Sequence, residues 1–362
     1  MPYTAFFSRT FFTFSFFLAT LYSLKAQPPV FVPYNDSVFR NEATIEQWLQ
    51  THKVPVLGIG IINNGQLQSA NVYGQLKPGI DAPANTLFNV ASLTKPVTAM
   101  VALKLASQGK WKLDEPLYHY WTDPDVANDP RHQQLTTRIV LSHQTGFPNW
   151  RWMSDNKKLA FEFNPGTKYQ YSGEGFEYLR HALEKKFSKT LDQLANELYF
   201  QPLNMQDTRF FWDATTDEKR FAIGYDTSGK AYEIPKNKSA SAADDLLTTV
   251  EDYGKFLLAV INGDGLSKEM FTDMVAPQVK RKANKSFGLG FEKYDLANGE
   301  YALSHGGADQ GVSTLFFILP KSKQGLIIFT NVDGGYKLYD ALIRHYLGAA
   351  GQQIIDIEMK QE

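Results

Sequence analysis

Ser92 and Lys95 stand three residues apart in "ASLTKPVTAM", at the head of an apolar helical run. Positions i and i+3 of a helix share a face. A hydroxyl at that point would lie against the unpaired N–H groups of a first turn, where negative charge is favoured, with an amine aimed at the same spot. The pair suits nucleophilic catalysis, because a serine hydroxyl attacks only when a neighbour takes its proton. Lysine can do this if burial or a nearby cation lowers its pKa; a tyrosine held as phenolate by cations is the other candidate base. The plainer reading makes Ser92 a helix N-cap and nothing more. Ser-x-x-Lys also occurs at Ser107/Lys110 and Ser154/Lys157, where the context reads as a helix end and a polar loop. Spacing alone therefore decides nothing. Pro96 sets the helix start near Ser92, since proline is tolerated in the first turn and restricts the residue before it.

Two further stretches carry candidate groups. Tyr171 in "KYQYSGEG" follows the turn-forming "FNPGT" and precedes a helix from about Phe176. His305 in "LSHGGADQG" belongs to the chain's one His-x-Gly, just before a terminal hairpin. Paired glycines at a strand let another backbone approach closely. Near these groups, His143 reads as structural packing of the "LSHQTG" turn, and Glu174 as a solvated or helix-starting acid.

Together these stretches resemble the serine β-lactamase-related, penicillin-binding-protein-like hydrolases: class C β-lactamases, D-alanyl-D-alanine carboxypeptidases, and related esterases and D-aminopeptidases. "LTTRIVLSHQTGFPNW", "FNPGTKYQYSGEGF", "LYFQPLNMQDTRF" and "GLGF" match in order, so the resemblance covers nearly all of residues 38–347. It implies Ser92 as the acylated nucleophile, Lys95 as its activating partner, and Tyr171 as the proton shuttle to the leaving group. His305 would face the tyrosine and the substrate. The backbone N–H groups of Ser92 and Ala308 would form the oxyanion hole, with Asn149, Trp150, Gly173 and Gly307 contacting substrate. The sequence departs from the family pattern in three places. Gly173 replaces the asparagine of Tyr-x-Asn, removing an amide that would bind a substrate's acylamide. His305 replaces a lysine, so it would be cationic only below a pKa near 6.5 and would put an ionisation near neutrality into the rate, lost in His305→Asn. Asp244-Asp245 stands where relatives often carry paired glycines, and the sequence offers no mechanistic reading of it. The first two changes favour an esterase, amidase or D-amino-acid peptidase over an efficient penicillin hydrolase. The contrasting expectation is a non-catalytic protein that keeps the cleft to bind cell-wall fragments.

The remaining features bound the setting. The chain has 362 residues, a net charge of −1 and no cysteine. Near-zero charge without a long basic run argues against nucleic acid as partner. The absence of cysteine removes disulfides, thiolate metal sites and a cysteine nucleophile. The seven histidines lack metal-ligand spacing, and no P-loop, Gly-x-Ser-x-Gly or Gly-x-Gly-x-x-Gly occurs. A metal-independent enzyme without cofactor, acting on a small molecule or short peptide, is expected; the oligomeric state is not set by sequence. Residues 1–26, with an apolar stretch "FFTFSFFLATLYSL" behind Arg9, read as a signal peptide cut after Ala26, giving a periplasmic or secreted protein. An uncleaved anchor is the alternative.

The elements that must position these groups follow. Residues 27–350 form the hydrolase domain, with 351–362 as a C-terminal tail. "PVLGIGIINNGQLQSANVYG" predicts a hairpin turning at 63–65, and "STLFFILPKSKQGLIIFTN" predicts strands Ser313 to Leu319 and Leu326 to Asn331. Helices are expected over Val38 to His52 and Tyr336 to Leu347, with residues 96 to about 260 mostly helical. The fold class is α+β: one antiparallel sheet built from both chain ends, flanked by helices, with an inserted helical lobe. The α/β lobe takes about 38–95 and 240–350, the helical lobe about 96–239, and the site belongs in the cleft between them.

Overall fold

Asn64 and Gly65 close the first hairpin with φ of 50° and 72°, the left-handed geometry that Asn-Gly pairs adopt at little cost. In the computed structural model, residues 35–360 are described; the expected signal segment lies outside the described residues. Helix α1 (Glu42–His52) leads into the hairpin β1 (Val56–Asn63) and β2 (Gln66–Lys77), followed by β3 (Ile80–Asp81) and β4 (Phe88–Asn89). The helical part holds α2 (Thr94–Ser107), α3 (Thr137–Leu141), α4 (Gly173–Phe187) and α5 (Leu191–Ala195). After β5 (Leu247–Thr248) come α6 (Val250–Asn262) and α7 (Lys268–Val275). Strands β6 (Val279–Lys282), β7 (Lys285–Phe287), β8 (Glu292–Asp295), β9 (Tyr301–Asp309), β10 (Val312–Leu319) and β11 (Gln324–Thr330) precede the closing helix α8 (Tyr339–Met359).

Strands from both chain ends form one sheet of nine in the order β3-β2-β1-β11-β10-β9-β8-β7-β6, every neighbour antiparallel. The expected α+β architecture is thus the one found. Period-two alternation sorts the buried residues onto two faces. Leu57, Ile59, Leu315, Phe317, Leu326 and Ile328 pack towards α1 and α8. Phe316, Ile318, Ile327 and Phe329 pack towards α2 and α6. His305 pairs with Phe316 and Gly307 with Thr314 across the β9–β10 ladder, so both point to the face carrying the helical lobe.

Two expectations need correction. Residues 96 to about 260 are not mostly helical: 108–172 hold only α3 and short 3-10 turns, and after α5 and a short turn at Asn196–Phe200 the chain runs irregularly through isolated bridges to β5. Residues 351–362 are not a tail. Gly348 breaks the helix at φ 53°, ψ −125°, but α8 resumes and reaches Met359. The two glycines after Leu347 read as a stop, yet Ile354, Ile355 and Ile357 are buried. Glu358, also buried, accepts from Lys285 Nζ at 2.8 Å and from Tyr294 OH. Lys282 adds a contact at 3.2 Å, and Glu292 Oε1 lies 3.0 Å from Lys285 Nζ. Glu358→Leu takes one of two carboxylates from the buried Lys285 and is expected to cost about 3 kcal/mol, read as a lowered urea midpoint.

Candidate active site

The turn before α2 is held in an uncommon conformation. Ala91 has φ 48°, which a non-glycine residue adopts only when its surroundings impose it. Its N–H donates to Asn89 Oδ1 at 2.8 Å, and Asn89 Nδ2 donates to Asp245 Oδ1 at 3.2 Å. Asp245 is itself left-handed, with φ 69°, and its other oxygen accepts from Asn237 Nδ2 at 2.7 Å. That φ is one glycine adopts without strain, and the aspartate side chain adds a brace on the turn at Ala91 that a glycine would lack. Ser92 sits in the following turn, Ala91–Leu93, with α2 beginning at Thr94.

Lys95 is fully buried in the first turn of α2. Its Nζ lies 2.9 Å from Ser92 Oγ and 2.8 Å from the Ala243 carbonyl oxygen. Burial drives its pKa from 10.5 down to about 7, opposed by the negative potential of Asp244 and Glu177. Half the amines are then neutral near pH 7, the state a proton acceptor needs.

Tyr171 lies beside Ser92, whose hydroxyl bears on its titration, and Lys95 Nζ lies 4.6 Å from the centroid of its ring. Burial raises its pKa well above the ordinary 10, so the resting group is a phenol. Of the two candidate bases, the structure therefore favours the lysine. The flanks of Tyr171 are fixed by the structural histidine: its ring lies against His143, centroids 4.3 Å apart, and Ser172 N–H donates to His143 Nδ1 at 3.1 Å. Burial also pushes His143 well below the usual histidine range, so it stays neutral.

His305 lies on β9 with its ring centroid 6.0 Å from that of Tyr171. Nδ1 is 2.7 Å from the Gly306 carbonyl oxygen, which makes Nδ1 the protonated nitrogen and Nε2 an acceptor. Burial first, and Lys95 second, lower its pKa to about 3. This corrects the expected near-neutral ionisation: His305 is uncharged from pH 5 to 8. His305→Asn should accordingly keep whatever inflection near pH 7 the wild-type rate shows, as a pH–kcat/KM series on both proteins would read.

Three substrate-contact expectations also change. Gly307 is buried against the nucleophile segment: a Cβ there would meet Val90 O at 2.5 Å and Thr314 Oγ1 at 2.4 Å. Its missing side chain lets β9 approach Val90–Leu93, and what it admits is protein backbone instead of ligand. Asn149 caps α4: its Oδ1 accepts from Gly173 N at 2.9 Å, and its carbonyl accepts from Gly173 N and Glu174 N at 3.0 Å each. Gly173 faces the Trp150 indole, which stands 2.7 Å from where a Cβ would be. Of the two readings of Glu174, the helix-starting acid holds and the solvated one does not: it stands in the first turn of α4. It is buried and accepts from the Arg151 N–H at 2.8 Å and its guanidinium at 2.8 and 2.9 Å.

Asp244, Asp245 and Asp309 offer carboxylate oxygens within 4.8 Å of one another, a grouping that could accept a cation. Burial and mutual repulsion raise the Asp244 carboxyl well above its usual range and bring Asp245 to about 6. The sequence does not point to Asn89 or Ala243, and it marks Asp245 as unusual without giving it a role. "DD" in place of glycine was the one visible signal, and nothing in the sequence placed it beside the turn at Ala91.

Comparison with known proteins agrees with this fold. The Beta-lactamase family model matches residues 41–350. The chain therefore belongs to the Beta-lactamase family, a class of serine hydrolases. It is 22% identical over 326 residues to Protein flp of Staphylococcus aureus strain MW2, covering 83% of this chain and 64% of that protein. The chain thus spans under two thirds of the length of that relative. A β-lactamase of Pseudomonas fluorescens is 24% identical over 282 residues, 74% of this chain and 78% of that protein. The penicillin-binding protein homologue of Pyrococcus abyssi superposes with a TM-score of 0.72 at 23% identity, over 84% of this chain and 75% of that one. A D-stereospecific amidohydrolase from a Streptomyces species gives 0.67 at 20% identity, over 83% of this chain and 98% of that one. Among the described residues no helix is long and apolar enough to cross a membrane.

Proposed function

We propose that this chain is an exported serine hydrolase that forms an acyl-enzyme on Ser92 and cleaves an ester or an amide. The observation that carries this is the buried Lys95 amine, 2.9 Å from Ser92 Oγ with a pKa lowered to about 7. Neutral Lys95 takes the Ser92 proton as Oγ attacks the carbonyl carbon. The tetrahedral oxyanion is received by the backbone N–H groups of Ser92 and Ala308. Support for Ala308 comes from the ladder: Asp309 and Val312 flank a two-residue hairpin, and β8 stops pairing with β9 at Ser304. In an antiparallel ladder, alternate N–H groups turn away from the partner, so the Ala308 N–H faces that open edge. Each such donor is worth about 3 kcal/mol in the transition state.

Tyr171 OH then protonates the departing alkoxide or amine and recovers a proton from the Lys95 ammonium. Water attacks the acyl-enzyme by the same route in reverse, releasing the acid and restoring Ser92. His305 Nε2, an acceptor throughout, orients a donor on the substrate. The D-stereospecific amidohydrolase and β-lactamase among the similar proteins support trying amide and β-lactam substrates beside simple esters. A binder that merely kept the cleft would have no use for a strained turn and a depressed lysine beside a hydroxyl. Turnover of p-nitrophenyl esters, D-alanyl dipeptides and nitrocefin by wild type and Ser92→Ala tests the reading: turnover of at least one, abolished in the variant, is expected, and equal turnover by both proteins contradicts it. Export rests on the sequence of residues 1–26, and N-terminal sequencing of protein from the periplasm or medium should begin at Gln27.

A further inference from the structure

The head of α4 leaves a gap that Trp150 fills. A Cβ on Gly173 would stand 2.7, 2.8 and 2.9 Å from the indole carbons Cη2, Cζ2 and Cζ3, nearer than such carbons pack. The same ring has its centroid 5.9 Å from Lys95 Nζ, so it flanks the reacting pair. Its backbone is gripped on both sides. Asn149 accepts from the first N–H groups of α4. Arg151 is bound by Glu174 at 2.8 Å, Asp123 at 2.7 Å and Asp125 at 3.2 Å, and both Glu174 and Asp123 are buried. Trp150 itself remains half-buried.

We propose that Trp150, seated on Gly173, is the specificity-determining residue of this site: an aromatic wall beside Ser92 that selects esters or amides with a flat, apolar acyl group. The proposal rests on the Ser92 hydrolase reading. Apolar groups gain by leaving water for a fixed aromatic face. An acylamide placed there would meet carbon where it needs a hydrogen-bond partner, and would forfeit its bonds to water. Gly173 and Trp150 act as one unit, because any side chain at 173 must displace the ring.

The test is the ratio of kcat/KM for p-nitrophenyl phenylacetate to that for p-nitrophenyl acetate, with the p-nitrophenyl ester of N-acetylglycine as a third substrate. Wild type should prefer phenylacetate over both. Trp150→Ala should lower the ratio about tenfold, and Trp150→Phe should keep most of it. Gly173→Ala should lower it too, and Trp150→Ala/Gly173→Ala should be no worse than Trp150→Ala alone, because the displaced ring is gone. Trp150→Leu, which keeps apolar volume but loses the flat face, replaces Trp150→Ala if circular dichroism shows the latter unfolded. An unchanged ratio in the position-150 variants, additive losses in the double variant, or a preference for the N-acetylglycyl ester overturns the proposal while the hydrolase reading stands. No turnover of any ester by folded wild type overturns both.

Discussion

Ser92→Ala is expected to lower kcat by roughly 10⁴-fold or more while leaving the circular dichroism spectrum and urea midpoint close to wild type. The size follows from the site's logic. Lys95, Tyr171 and the oxyanion donors all act on a bond that only the Ser92 oxygen can form, so losing it idles every other group. The fold should tolerate the change: Ser92 is half-buried in a turn, and that turn is braced through Ala91, Asn89 and Asp245. A residual rate from bound water would be visible in steady-state kinetics with the best ester. A variant retaining more than about a tenth of wild-type activity would mean the nucleophile lies elsewhere.

Lys95→Met should cost roughly 10³-fold in kcat/KM, and the same residue sets the pH dependence. Only the unprotonated amine accepts a proton, so activity should rise with pH through about 7 and level off above it. The rising limb should disappear from whatever activity Lys95→Met retains. Stability carries the same signature with a definite sign. Folded Lys95 releases its proton near 7 and an unfolded lysine near 10.5. Between those values the unfolded chain binds more protons, so this group makes the free energy of unfolding, and with it stability, increase as pH rises. Urea midpoints at pH 7 and pH 9, for wild type and Lys95→Met, should show a smaller increase in the variant. A rate profile of wild type that is flat from pH 5 to 9 would contradict the lysine's role.

The parts of this molecule that were legible in the sequence are those set by local pattern. The turn at Asn63–Gly65 follows from residues that accept left-handed φ, and the strands β10 and β11 from short apolar runs rich in branched and aromatic residues, buried on both faces. Thr249 caps α6 by accepting from Asp252 N–H, and Gly263 ends it at φ 70°, both as the residue types predict. Ser92, Lys95 and Tyr171 came from motifs, and the structure brings all three together. What the sequence hid depends on contacts between distant segments. Nothing near Gly173 says that an indole 23 positions earlier occupies its side-chain space. His305 looked like a near-neutral switch because burial, which takes it to about 3, is a property of the packed cleft. Residues 351–362 read as a tail because the Lys285 that receives Glu358 lies 73 residues away.

The central claim is tested most directly by labelling the folded protein with a fluorophosphonate and locating the adduct by peptide mass spectrometry. A single adduct on Ser92, formed in wild type and lost in Ser92→Ala, with labelling that quickens as pH rises through about 7, is the expected result. An adduct on another residue, or none on a protein that turns over esters, would contradict it.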